Sequence, residues 1–151
     1  MSLISKILPL ENVLLDAEST SKKRVFERVG LLFENSQKLA RSQVFDSLFA
    51  REKLGSTGLG QGVAIPHGRI KNLRDAVAAF VKTESPIPFD APDGAPVNLI
   101  FVLLVPERAT DLHLQLLGEL AQMFSDVSFR ERLLSSNDPV VIHQMFTDWQ
   151  G

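Results

Sequence analysis

The sequence predicts an α/β layered domain, a mixed sheet of about five strands flanked by helices. Three observations predict it. Val97 to Val105 (VNLIFVLLV) is nearly continuous apolar, with β-branched and aromatic members, the pattern of a central strand covered on both faces. Amphipathic helical patterns lie both before and after it. The 151 residues, 44% hydrophobic and 23% charged, suit one domain with one core spanning 1–151.

Leu3, Ile4, Ile7 and Leu8 suggest one short helical turn stopped by Pro9, and Val13-Leu14-Leu15 a short strand. Ser19-Thr20-Ser21 supplies N-cap residues for a helix of about fourteen residues. Its apolar positions Val25, Val29, Leu32 and Phe33 fall at helical spacing, and Asn35-Ser36 ends it. A second helix runs from about Ser42 to Leu54 on a stripe of Val44, Phe45, Leu48 and Phe49, with Gly55 beyond its C-terminus. Val63-Ala64-Ile65 suits a strand end. Asp75 to Thr83 reads as a strand. Pro86 to Pro96, with four prolines and a turn at Asp93-Gly94, is a constrained loop whose acidic Asp90 and Asp93 are open to a partner. Thr110 or Asp111 caps a helix from about Leu112 to Ser125. Ser128 and Glu131 form a capping box for a short helix, and Asp138-Pro139 opens the last one.

Composition narrows the function. The net charge of -2 argues against nucleic acid as a main partner, because phosphate binding draws on a basic surface. The absence of cysteine excludes disulfide scaffolds and cysteine-rich zinc sites. No apolar run approaches the ~18 residues of a membrane span, and the N-terminus makes a poor signal peptide. The default location is the cytoplasm, with no membrane insertion.

Five of the nine glycines crowd into one stretch, Arg51 to Arg69, REKLGSTGLGQGVAIPHGR. Pro66 fixes its own φ and keeps Ile65 extended, so His67 leaves the strand end at a set angle. A glycine loop with free N–H groups, two flanking arginines (Arg51 and Arg69) and a nucleophilic imidazole suits a phosphoryl group. Ser56, Thr57, Gly58 and Gly68 border that imidazole as phosphate ligands or as turn residues. Arg51 also complements a helix C-terminus. His113 shares an arc with Leu112, Leu116, Leu117, Leu120, Met123 and Phe124. It therefore faces the interior or a cleft wall, at a strand-to-helix junction of the kind where α/β proteins place ligands. His143, on the last helix, reads as an ordinary half-exposed residue. No metal-ligand spacing, Walker loop or other cofactor site stands out.

REKLGSTGLGQGVAIPHGR, then PIPFDAPDGAPVNLIFVLLVP, then HLQLLGELA together resemble the enzyme IIA family of the bacterial phosphotransferase system, in its mannitol/fructose/nitrogen-related branch. LGSTGLGQGVAIPHG and FDAPDG look most like the nitrogen-related regulatory form. The resemblance implies a cytoplasmic phosphocarrier that takes phosphate from a small histidine-phosphorylated carrier protein, HPr or its nitrogen-branch counterpart NPr. It signals to regulatory protein targets through its phosphorylation state, in nitrogen and potassium regulation. By that likeness His67 matches the phosphorylated histidine, at Nε2, His113 the second active-site histidine, and Arg51 the arginine of the RE(x)nG motif. Such a transfer needs no cofactor. Two sets of readings compete with this one. The first is a sugar-specific enzyme IIA passing phosphate to a fructose- or mannitol-type permease. The second is a non-catalytic anion-binding module, or a hydrolase using Ser56 or Thr57 with His67, which lacks a G-x-S-x-G elbow.

Overall fold

The computed structural model describes residues 3–108 and 110–150. Two 3₁₀ turns, Ile4–Lys6 and Leu10–Asn12, lead into β1 (Val13–Ala17). Then come α1 (Lys22–Gln37), α2 (Arg41–Lys53), β2 (Gly58–Gly60), β3 (Val63–Ala64), β4 (His67–Ile70), β5 (Val77–Ile87) and β6 (Val97–Pro106). Three helices close the chain: α3 (Thr110–Ser125), α4 (Val127–Ser135) and α5 (Pro139–Asp148).

The expected mixed sheet is present, with β6 inside it. Strand order is β1-β5-β6-β3-β2, and β4 also pairs with β6. Strand β5 runs antiparallel to β6; β3 and β4 run parallel to it. The six segments fill five positions. Val63 pairs with Leu99 and His67 with Leu103, so β3 and β4 keep one register along β6. Pro66 interrupts them because it has no N–H to donate, though its carbonyl still accepts from Leu103 N at 2.9 Å. The strand expected to end at Ile65 continues: His67 opens its second half.

Alternation along β6 sorts its side chains to the two faces of the sheet, so the one core expected from chain length is divided in two. Leu99, Phe101, Leu103 and Val105 face α3, α4 and α5. Ile100, Val102 and Leu104 face α1 and α2. Val63 and Ile65 belong to the first core, and His67 continues their alternation toward α3.

Several boundaries differ from expectation for local reasons. Helix α1 is capped by Ser21 and runs past Asn35-Ser36 to Lys38, whose left-handed φ of 62° ends it. Asp126, not Ser128, caps α4 by accepting from Phe129 N. Thr110 and Asp111 lie inside the first turn of α3; the residue before it is outside those described. Strand β5 extends past Thr83 to Ile87, taking Pro86 from the expected loop. The expected turn closes on Gly94, whose N–H reaches Ala91 O at 2.9 Å. A two-residue hairpin loop, Gln61-Gly62, joins β2 to β3 with both φ values positive (58° and 78°), which explains a glycine there.

Candidate functional site

The site forms where the interrupted strand passes the ends of two helices. Its centre is the His67 ring. Nδ1 lies 2.9 Å from the carbonyl of Ile65, two residues back. A carbonyl only accepts, so Nδ1 carries the proton and Nε2 keeps its lone pair. Arg51 Nε donates to that Nε2 at 3.2 Å, while Arg51 Nη1 donates to Gly55 O at 2.8 Å. Arg51 is in the last turn of α2, so its guanidinium bridges the helix C-terminus and the imidazole.

His113, in the first turn of α3, comes edge-on to His67, with ring centroids 5.0 Å apart and planes at 67°. Its Nε2 is buried without a hydrogen-bond partner among the described residues. Burial pushes the His67 ring below histidine's usual proton affinity. The Ile65 carbonyl and Glu52 oppose this, and Arg51 and Arg69 add to it. Burial likewise lowers His113, followed by the charges of His67, Arg69 and Arg51. Both rings are therefore biased toward neutrality near pH 7.

A depression of about 350 Å³ opens beside His67, lined also by Arg51, Ser56, Thr57, Gly58, Leu59, Ile65, Leu117, Gly118 and Ala121. Of the expected site residues, His67, Arg51, Ser56, Thr57 and Gly58 meet there; His113 stands behind the His67 ring rather than in the lining. Arg69, two residues on along β4, is exposed and donates through Nη1 to Glu107 O at 2.8 Å. Gly68 has a packing role: a Cβ there would strike Ser47 of α2, whose hydroxyl donates to Arg69 O at 2.9 Å.

The expected free N–H groups are not free at Thr57 and Gly58. Thr57 N donates to Glu52 Oε2 at 2.9 Å and Thr57 Oγ1 to Glu52 Oε1 at 2.6 Å. Gly58 N donates to Ser56 Oγ at 3.0 Å, and that hydroxyl donates to Phe89 O at 2.6 Å. These residues form a braced wall, with their donors turned into the protein. Asp93 is exposed, and it accepts from Gln61 N at 3.0 Å and Ala95 N at 3.1 Å. Those backbone N–H groups hold its carboxyl below the usual range.

Sequence reasoning missed Glu52 and its partner Lys22, 2.9 Å away. The signal was there. Glu52 follows Val44 and Leu48 at intervals of four on the buried stripe of α2, and Lys22 precedes Phe26 by four on that of α1. Charges at core-facing positions call for partners. Among the described residues, no three His, Cys, Asp or Glu side chains converge as a metal site needs.

Comparison with known proteins places this geometry. The family described as "Phosphoenolpyruvate-dependent sugar phosphotransferase system, EIIA 2" matches residues 6–149. The chain belongs to that family and is a phosphotransfer component. Its relatives indicate which kind. The nitrogen regulatory protein of Pseudomonas aeruginosa is 41% identical over 149 residues, covering 98% of this chain and 97% of that one. Its counterpart in Escherichia coli K12 is 39% identical over 150 residues, covering 98% and 91%. The crystal structure of nitrogen regulatory protein IIA-Ntr from Neisseria meningitidis superposes with a TM-score of 0.91 at 55% identity, covering 97% and 100%. The E. coli mannitol enzyme IIA, at 22% identity and TM-score 0.75 over 91% and 97%, shares the fold. These likenesses favour a regulatory phosphocarrier over one dedicated to a sugar permease. Among the described residues, no helix is long and apolar enough to cross a membrane.

Proposed function

We propose that this protein carries a phosphoryl group on Nε2 of His67 and signals through its presence or absence. One observation carries the reading: the 2.9 Å contact from Nδ1 to the Ile65 carbonyl, which fixes the tautomer with Nε2 as nucleophile. The donor is a phosphohistidine on a small HPr- or NPr-type carrier protein. The Nε2 lone pair attacks phosphorus as the donor's P–N bond breaks, and the departing ring nitrogen takes that bond's electron pair. The Nδ1 proton of His67 stays in place throughout. Arg51, hydrogen-bonded to Nε2 before transfer, turns to the phosphoryl oxygens as they arrive, and Arg69 adds positive charge from the same strand. His113 supports the ring and the transferred group from α3. Ser56, Thr57, Gly58 and Gly68 shape the surroundings.

The carrier docks over a face with apolar side chains in reach. Leu59 of the lining is exposed, as are Leu54, five residues before it, and Leu114, next to His113. Phosphorylation then places roughly -1.5 to -2 charges at that face, which regulatory protein targets read. The names of the nitrogen regulatory relatives support regulation as the output, in the cytoplasm where such carriers act. The test is incubation with the phosphorylated carrier, then mass spectrometry with site localisation. The expected product is acid-labile, base-stable phosphate on His67. Phosphate on another residue, or none, overturns the reading.

A further inference from the structure

Glu52 has no part in the transfer as written above, yet it is the most heavily engaged carboxylate near His67. Its side chain is 4% exposed. It accepts from Lys22 Nζ at 2.9 Å, Thr57 N at 2.9 Å and Thr57 Oγ1 at 2.6 Å. A buried charge persists only when paired and hydrogen-bonded. These three bonds tie the first turn of α1, the last turn of α2 and the wall of the depression into one unit. The unit extends further. Lys22 Nζ lies 4.6 Å from the centre of the Phe89 ring and 3.7 Å from Asp90, and Phe89 O takes the Ser56 hydroxyl. The Ser56–Gly58 wall is thus held from Glu52 on one side and Phe89 on the other.

Granted that His67 accepts the phosphoryl group, we propose that Glu52 is a positioning residue for the transfer. Its buried carboxylate, bonded to Thr57 and Lys22, holds the wall against His67 and offsets the positive charges around that ring. Those charges are Arg51 from α2 and Arg69 from β4, with His113 facing the ring from α3 and Lys22 behind Glu52 on α1. Among the described residues, the carboxylate is the negative charge that raises the His67 proton affinity. Glu52→Gln keeps the shape and removes the charge. The His67 titration midpoint then moves to lower pH. A less basic nitrogen is a weaker nucleophile, so the plateau transfer rate falls, by about threefold for each unit the midpoint drops, and the acid limb of the pH–rate profile moves to lower pH. Lys22→Met does the reverse to the midpoint, because it removes the cation that neutralises Glu52 and leaves the carboxylate's charge free to act on His67.

The experiment follows the His67 Cε1 proton by NMR across pH in the wild type, Glu52→Gln and Lys22→Met, with single-turnover transfer from the phosphorylated carrier. A lower midpoint and slower plateau in Glu52→Gln, with a higher midpoint in Lys22→Met, is the expected result. An unmoved midpoint in a folded Glu52→Gln overturns the proposal, even if transfer slows, since a purely structural carboxylate would give that. Should Glu52→Gln not fold, an unmoved midpoint in Lys22→Met overturns it. The titration needs no phosphoryl donor. Failure of the wild type to become labelled at His67 would therefore sink the phosphocarrier reading separately.

Discussion

His67 and His113 stand with ring centroids 5.0 Å apart, yet they are held in opposite ways. His67 sits on a strand, directly after a proline, with Nδ1 on Ile65 O and Nε2 on Arg51. His113 sits in the first turn of a helix, with a buried Nε2 that has no partner among the described residues. Hydrogen bonding, not residue type, separates them. One ring has its tautomer imposed and a lone pair presented to a cation. The other keeps an uncommitted nitrogen beside it. His143 is a third case: its Nε2 meets Leu8 O at 2.9 Å, tying the N-terminal segment to α5, far along the chain from either. Imposed geometry suits a nucleophile and an uncommitted nitrogen suits an assistant.

The largest effect comes from replacing the His67 ring with a side chain that cannot attack. His67→Ala abolishes labelling by the phosphorylated carrier. Intact-mass measurement after incubation checks this, and residual phosphate would mean a second acceptor. Arg51→Ala comes next. It removes the donor at Nε2, and transfer slows about 100-fold, the usual effect of losing one preorganised charge donor. The same variant moves the His67 titration midpoint up, because Arg51 is among the causes that lower it. Rapid-quench kinetics and NMR titration read the two effects independently. Arg51→Lys restores the charge but not the paired donors to Nε2 and Gly55 O, so it recovers the midpoint more than the rate.

His113→Ala keeps the fold and slows transfer about tenfold, below the hundredfold or more that a general acid or base contributes, because His113 assists without taking a proton. An unchanged rate would make His113 a packing residue and collapse the contrast between the rings. A rate as low as that of His67→Ala would make the two rings equal partners, which the unequal hydrogen bonding argues against.

Much of the fold was legible because periodicity reports burial directly. The apolar run at Val97–Val105 became the strand that touches both cores, and the stripes of α1, α2 and α3 pack as their spacing implies. The division of one strand into β3 and β4 was not legible. It depends on the segment resuming its pairing with β6 after Pro66, a long-range register that no local window contains. The site divided the same way. His67, Arg51 and the wall were marked by residue type and glycine content. The use made of the wall's donors was not, because Glu52 and Ser56 consume N–H groups that a glycine-rich loop would otherwise offer. Glu52 itself was marked neither by residue type nor by glycine content. Its position on the apolar stripe was the clue.

The smallest effect concerns stability, and its sign follows from the two rings together. Both are held below histidine's usual proton affinity in the folded chain, chiefly by burial. Unfolding returns them to the ordinary value of about 6.5. Below that value the unfolded chain binds more protons than the folded one, so stability rises with pH there and falls as the medium is acidified. The contribution is fully present above the unfolded value and is lost as pH drops through the folded ones. Urea denaturation midpoints from pH 7.5 to 5 check it, comparing the wild type with His67→Ala. The wild type loses stability more steeply, because the variant has one such ring fewer; carboxylates common to both cancel. His113→Ala flattens the profile as well, and less than additively with His67→Ala, since the charge of His67 lowers the affinity of His113 and removing it relaxes its neighbour. Parallel profiles for all three would mean that the rings titrate alike folded and unfolded. The burial that keeps Nε2 of His67 unprotonated for attack would then have to be given up.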